Sequence, residues 1–163
     1  HFIAACNVND VVPEYLRTEI LKPKETVATI SNAMDVGDPS NFVRILELFD
    51  KEFNQVKNKL SGYTIDDEET LKTIERVEKD YGYVLDPHGA VAFVALEKYL
   101  AENGGKGFFL ETAHPVKFPD SVEKATGKSV EIPKSLEELM KQEKFTTEIN
   151  PQYEELKEFL LKK

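Results

Sequence analysis

Two polar residues that could bind a ligand, Thr112 and His114, follow directly on the apolar run at residues 108–110. We predict that this run is a short strand of a parallel sheet buried on both faces, because it shows no polar alternation. Ligands of open α/β sheets bind beyond the carboxyl ends of the strands. Pro115 suits the first turn of a following helix, whose free amide groups would face the same cleft. The alternative is an ordinary strand-to-helix turn that binds nothing.

A second group of polar residues lies at 31–41, just before a predicted helix. Hydroxyl and amide donors at a helix N-terminus form an arrangement suited to anions. Ser40 and Asn41 are therefore candidate anion ligands, with helix capping as the alternative. We expect the carboxylate of Asp35 to organise the loop instead of contacting an anion.

Metal and thiol chemistry are weaker hypotheses for this chain. Asp86 and His88, together with His114, could in principle make a site of two imidazoles and one carboxylate. We expect no metal there, because Asp86 is already explained as the N-cap of a helix that begins at the next residue. Cys6 stands among apolar residues, which predicts a buried, unreactive thiol.

Composition excludes several classes of protein. The 163 residues include 30 acidic and 21 basic side chains, and the net charge of −9 argues against a nucleic-acid partner. One cysteine permits neither an intrachain disulfide nor a thiolate zinc cluster. No apolar run approaches the ~20 residues of a membrane-spanning helix, and no leader is visible. We expect a cytoplasmic protein with no membrane partner.

Strand and helix patterns alternate along the chain, which predicts an α/β domain with a parallel sheet and flanking helices. The predicted strands lie at 2–5, 83–85 and 108–110, with an extended segment at 26–30. The predicted helices lie at 11–17, 38–60 with a bend near Asp50, 66–81, 87–100, 115–126, 135–144 and 151–161. Asn7 and Asn9, after the first strand, are expected to form a turn. We predict an α/β domain at 1–130 and a C-terminal helical extension, 131–163, packed on it.

Four stretches resemble the C-terminal part of threonine synthase, a pyridoxal-phosphate-dependent family of fold type II. They are FIAACNVNDVVP at 2–13, TISNAMDVGDPSNFVRI at 29–45, DPHGAVA at 86–92 and ETAHPVKFP at 111–119. They occur in the expected order, and the resemblance extends to about Leu139. It implies that the α/β domain is part of the large domain of such an enzyme.

The resemblance also implies an activity, a cofactor and roles for particular residues. The intact enzyme would be a lyase of threonine biosynthesis that converts O-phospho-L-homoserine and water to L-threonine and phosphate with pyridoxal 5'-phosphate. By its position in the motif, Thr112 would hydrogen-bond the pyridine nitrogen. Ser40, Asn41, Arg44 and His114 would contact the substrate.

Two family features do not occur in this sequence: a Phe-Lys-Asp segment with the Schiff-base lysine, and a Ser-Gly-Asn-type loop for the cofactor phosphate. No catalytic residue is therefore assigned here. The chain also enters an apolar strand directly after His1, so we expect further sequence to precede it. We expect it to be inactive without the remainder of its own polypeptide. The alternative is a stand-alone, non-catalytic α/β binding or interaction module.

Overall fold

The computed structural model describes residues 1–162 and divides into two compact units. The first unit is His1–Glu131, and the second begins at Ile132. The second unit contains two helices, α7 (Lys134–Met140) and α8 (Tyr153–Leu161). Both helices were predicted from their apolar spacing. The predicted packing of a C-terminal extension on the α/β domain stays a prediction.

The first unit is built around a parallel pair of strands, β1 (Phe2–Cys6) and β2 (Leu60–Thr64). Phe2 pairs with Leu60, and the register continues to Cys6 opposite Thr64. Three helices lie between the strands in the chain: α1 (Val11–Thr18), α2 (Val43–Leu48) and α3 (Phe53–Lys59). The predicted α/β class with a parallel sheet and flanking helices is confirmed.

Three further helices complete the first unit. They are α4 (Asp67–Tyr81), α5 (Pro87–Asn103) and α6 (Pro119–Thr126), and a 3-10 turn at Pro115–Lys117 precedes the last of them. The predicted helix at 115–126 is thus divided into a turn and a helix. Within residues 1–162, no helix combines the length and the apolar character needed to span a bilayer.

Two predicted strands, at 83–85 and 108–110, are wrong. Neither segment pairs with another strand of the described chain, so neither forms a hydrogen-bonded ladder. The second segment is also not buried on both faces, since Phe108 is 85% exposed and Leu110 68% exposed. Phe109, between them, packs edge-on against Phe93 of α5 with ring centroids 5.5 Å apart. One face of this segment is therefore packed and the other is open.

The predicted helix at 38–60 is wrong as one continuous helix, although the predicted bend near Asp50 lies where it is interrupted. It is divided into α2 and α3, and Asp50 and Lys51 between them adopt left-handed backbone conformations with φ of 52° and 60°. Two such residues cannot continue a right-handed helix. The final predicted residue, Leu60, instead begins β2, where pairing with β1 outweighs the helical spacing of the sequence.

The core of the first unit consists of three clusters of buried apolar residues. One packs α1 and the segment before α2 against α3: Tyr15, Leu16, Phe42 and Val56. The second joins the end of β2 to α5: Ile65, Val91, Val94 and Ala95. The third joins α4 to the N-terminal half of α5: Ile74, Val77, Leu85 and Ala90. Helix α5 contributes to two of them, so it fixes the sheet relative to α4.

The start of α4 gives a first test of the structure. Asp66 is the N-cap, and its carboxylate accepts a 2.8 Å hydrogen bond from the backbone N–H of Glu69. We expect Asp66→Ala to lower the free energy of unfolding by about 1 kcal/mol. The control is Asp80→Ala near the other end of α4, where removal of an exposed negative charge should be neutral or slightly stabilising. Equal urea midpoints for the two variants would contradict the assigned cap.

Candidate functional site

Three segments of the chain lie close together beyond the carboxyl end of β1. They are the loop around residues 31–35, the N-terminus of α5, and the segment 111–114. The loop is joined to α5 by the backbone N–H of Ala33, which donates to Nε2 of His88 over 3.1 Å. Segment 111–114 adjoins α5 through Glu111, whose Oε1 lies 3.4 Å from the backbone nitrogen of Asp86. The third of these segments contains Thr112 and His114, two of the residues predicted to bind a ligand.

A buried polar network attaches the loop to the end of β1. Asn7 Nδ2 donates to Asp35 Oδ1 over 2.8 Å and to Ser31 Oγ over 3.1 Å. Asn9 Nδ2 donates to the same Asp35 oxygen over 3.1 Å, and Thr29 Oγ1 donates to it over 2.7 Å. Asp35 thus organises the loop, as predicted. Asn7 and Asn9 are buried and hold the loop in place through these bonds.

Asp86 caps α5, as predicted from the sequence. Its Oδ1 accepts hydrogen bonds from the backbone N–H of His88 over 2.8 Å and from the ring Nδ1 of His88 over 2.7 Å. A backbone N–H can only donate, so Nε2 of His88, which faces Ala33 N–H, must carry no proton. His88 is therefore the neutral tautomer with its proton on Nδ1, and it orients the cap without forming an ion pair.

The structure also reveals a pair of neighbouring carboxyl groups that the sequence did not indicate, of which Asp86 is fully buried and Glu111 is half-buried. Burial, and then the hydrogen bond and negative charge of Asp86, raise the pKa of Glu111 to about 8. Burial alone would raise the pKa of Asp86, but hydrogen bonds from Glu111 and His88 outweigh it and hold that pKa below its ordinary value. At neutral pH, Glu111 is therefore the protonated member. Its inward position, two residues after Phe109, is the only sequence signal we find.

Thr112 and His114 lie on the open face of the segment, opposite Phe109 and Glu111. This alternation follows from the two-residue period of an extended chain. His114 also caps the following 3-10 turn, since its Nδ1 accepts a 3.2 Å hydrogen bond from the backbone N–H of Val116. Both side chains are exposed and accessible to a ligand.

Ser40, Asn41 and Arg44 lie in the turn before α2 and in its first residues, and all three are exposed. The N-cap position of α2 is occupied by Phe42, and no side chain caps this helix. The capping alternative for Ser40 and Asn41 therefore finds no support in the structure. In the part of the chain described, no hydrogen bond joins these three side chains to Thr112 or His114.

The remaining candidates have structural explanations. Across residues 1–162, no group of three or more His, Cys, Asp and Glu side chains is arranged to hold a metal ion. Burial, followed by the negative charge of Asp10, raises the pKa of the Cys6 thiol to about 11. Such a thiol stays protonated and is a poor nucleophile at neutral pH.

Fold and site together define an α/β protein in which polar residues gather beyond the carboxyl end of β1. Residues 89–160 match the family model described as "Threonine synthase, C-terminal". The threonine synthase of Escherichia coli K12 is 47% identical over 137 residues, which cover 84% of this chain and 31% of that protein. The crystal structure of an Escherichia coli threonine synthase superposes with a TM-score of 0.87 and 41% identity, covering 99% of this chain and 37% of that one.

The chain belongs to the threonine synthase family and corresponds to its C-terminal part. A threonine synthase from Brucella melitensis, solved with pyridoxal phosphate bound, is similar with a TM-score of 0.75 and 27% identity, covering 97% of this chain and 39% of that one. The chain spans about a third of the length of the curated relatives that it matches, 31% of one and 37% of another.

Proposed function

We propose that this chain acts as the C-terminal part of a pyridoxal-phosphate-dependent threonine synthase. The complete enzyme converts O-phospho-L-homoserine and water to L-threonine and phosphate, with the rest of its own polypeptide as the necessary partner. The observation that carries the proposal is the exposed hydroxyl of Thr112, which lies in the family motif and directly after Glu111 of the carboxyl pair. The proposed location is the cytoplasm, without a nucleic-acid or membrane partner.

The residues present fit pyridoxal phosphate, which the Brucella melitensis relative binds. Thr112 presents a neutral hydroxyl on the open face of an extended segment, so it can hydrogen-bond a pyridine nitrogen without fixing a proton there. When bound, the cofactor supplies an electron sink for carbanion chemistry at the substrate. Thr112 would orient the ring. It would also keep the electron-withdrawing strength of the ring moderate, since a carboxylate partner would favour the protonated ring more strongly. The Schiff-base lysine is assigned to a part of the enzyme outside these residues.

Four further residues are proposed to contact the substrate: Ser40, Asn41, Arg44 and His114. Arg44 is exposed at the start of α2, and its guanidinium suits a phosphate dianion through paired N–H donors. Ser40 and Asn41 precede Arg44 in the chain. Their hydroxyl and amide groups do not cap α2, so they are available to a ligand. His114 stands two residues from Thr112 on the same face, so it could orient a substrate carboxylate or phosphate next to the cofactor.

Replacing Thr112 by valine in the complete enzyme tests this proposal. Valine keeps the shape and removes the hydroxyl, which leaves the ring nitrogen without its partner at a cost of about 1–3 kcal/mol. We expect turnover to fall by roughly 10- to 100-fold, while the enzyme still takes up the cofactor through its lysine. Steady-state release of phosphate from O-phosphohomoserine measures the effect.

The matched control is Thr146→Val, which makes the same chemical change at an exposed threonine in the second unit and should leave turnover unchanged. Full activity of the Thr112 variant would show that the motif threonine is structural. Absence of any threonine formation by the unmodified complete protein would instead favour the non-catalytic α/β module.

A further inference from the structure

We propose that Glu111 and Asp86 share one proton. The hydrogen bond that results is a latch: it holds the segment that bears Thr112 and His114 against the N-terminus of α5. Glu111 is accordingly a positioning residue, because it acts on a ligand only through Thr112. The latch follows from the geometry of this chain. Its consequence for the cofactor rests on the function proposed above.

The first argument is that two buried oxygens lack a partner. Asp86 Oδ2 and Glu111 Oε2 are both shielded from solvent, and neither has a hydrogen-bond partner. Two carboxylates in one buried site would repel each other, and each would hold unsatisfied lone pairs. A single proton between the two groups removes the repulsion and gives both acids a partner. Asp86 Oδ1 is already occupied by its two bonds from His88.

The second argument is that the fold makes room for the Glu111 carboxyl group at one glycine. A Cβ atom at Gly89 would lie 2.2 Å from Glu111 Oε2 and 2.4 Å from Oε1. Any larger residue at position 89 would therefore displace the carboxyl group from the pair. Gly89 and Glu111 belong to separate motifs of the sequence. The latch explains both residues, because the carboxyl group of Glu111 needs the space that Gly89 leaves.

The third argument concerns the charges that surround the pair. In the part of the chain that is described, the titratable side chains facing the pair are His88, from α5, and Tyr83, from the segment before it. His88 is neutral, as its two hydrogen bonds require, and burial followed by the charges of Glu111 and Asp86 raises the pKa of Tyr83. Within residues 1–162, neither acid forms an ion pair with a lysine or arginine, so a shared proton is what limits the repulsion between them.

The latch has a defined pH dependence. The pKa of Glu111 rises from its ordinary value of 4.5 to about 8 in the folded protein. Between these values, the folded state holds one proton more than the unfolded state, so stability decreases as the pH is raised through this window. Above about pH 8, Glu111 ionises and the repulsion between two carboxylates opens the latch. Thr112, the next residue, then loses its fixed position.

Three variants of the complete enzyme test the latch. Glu111→Gln supplies a permanent N–H donor to Asp86, so it should keep the latch closed at every pH. Glu111→Ala removes the donor, and Gly89→Ala displaces the carboxyl group while leaving Glu111 in the chain. Glu75→Gln, at an exposed position of α4, is the matched control for the loss of one carboxyl group.

Infrared spectroscopy detects the protonated carboxyl group of Glu111 directly. At pH 7 ordinary carboxyl groups are ionised, so the difference spectrum between the unmodified enzyme and Glu111→Gln should show one protonated carboxyl band that disappears as the pH rises through about 8. The Glu75→Gln difference spectrum should show none. A Glu111→Gln difference spectrum without this band at pH 6 and pH 7 overturns the latch, whatever the activity of the enzyme.

Cofactor binding measures the effect of the latch on the position of Thr112. The affinity for added pyridoxal phosphate, followed by its visible absorption, should fall at least several-fold between pH 7 and pH 9 in the unmodified enzyme relative to Glu111→Gln. The affinity for pyridoxal phosphate should be weak at both pH values in Glu111→Ala and Gly89→Ala. Among the three variants, only Glu111→Gln should keep a high affinity. Equal affinity in all four proteins would overturn the positioning role, even with the infrared band present. If the unmodified enzyme binds no cofactor, the proposed function fails, and the infrared result still decides the latch.

Discussion

The Ile65→Ala variant is expected to lose about 2–5 kcal/mol of unfolding free energy, one of the largest effects of a single substitution in this chain. Ile65 follows β2 directly, is fully buried, and packs with Val91, Val94 and Ala95 of α5. Its backbone N–H also extends the sheet by donating to the carbonyl of Cys6 over 2.9 Å. Alanine leaves a cavity between the sheet and α5. Urea denaturation measures the loss.

Ile20→Ala is the matched control, because the same atoms are removed from a side chain that is 65% exposed. Its effect should stay within about 0.5 kcal/mol. Similar losses at the two positions would mean that the interface between β2 and α5 is not packed as described.

Asp35→Ala is expected to lower the unfolding free energy by about 3 kcal/mol. Its Oδ1 accepts hydrogen bonds from Asn7, Asn9 and Thr29 Oγ1, while Oδ2 accepts one from the backbone N–H of Thr29 over 2.9 Å. Hydrogen bonds to a charged acceptor contribute about 1.5–3 kcal/mol each, and some of the donors keep other partners when Asp35 is removed. The variant should also increase amide hydrogen exchange in residues 27–35.

Asp38→Ala provides the comparison, since it removes an exposed carboxylate from the same loop. It should leave both the urea midpoint and the exchange of residues 27–35 unchanged. Faster exchange in Asp38→Ala than in Asp35→Ala would show that charge in the loop matters more than the buried network.

Sequence patterns predicted the helices better than the strands. Helices α1, α4 and α5 were found because their apolar spacing and caps are local features, as Asp66 and Asp86 illustrate. Strand β2 was missed, since its identity depends on pairing with β1 far away in the chain. The bend near Asp50 was predicted, but the left-handed backbone of Asp50 and Lys51 was not, because the apolar spacing keeps its helical phase across them.

That Thr112 and His114 bind a ligand stays a prediction, and the acid pair beside them was not predictable from the sequence. Strand ends and motif residues pointed to Thr112 and His114, and the structure places both on an accessible face. The acid pair of Asp86 and Glu111 brings together two residues from separate motifs, and only the packing of segment 111–114 on α5 makes them neighbours. No local pattern reports such a contact.

The parallel pairing of β1 with β2 also affects how the chain folds during its synthesis. Because Phe2 pairs with Leu60, β1 leaves the ribosome long before its partner exists. At about 5–20 residues per second, the delay is on the order of 3–12 s. During that time the edge of β1 that pairs with β2 stays open, which is a hazard for aggregation. Helices α1 to α3 form from local contacts, so they can assemble first and then close the long crossover on which the sheet depends.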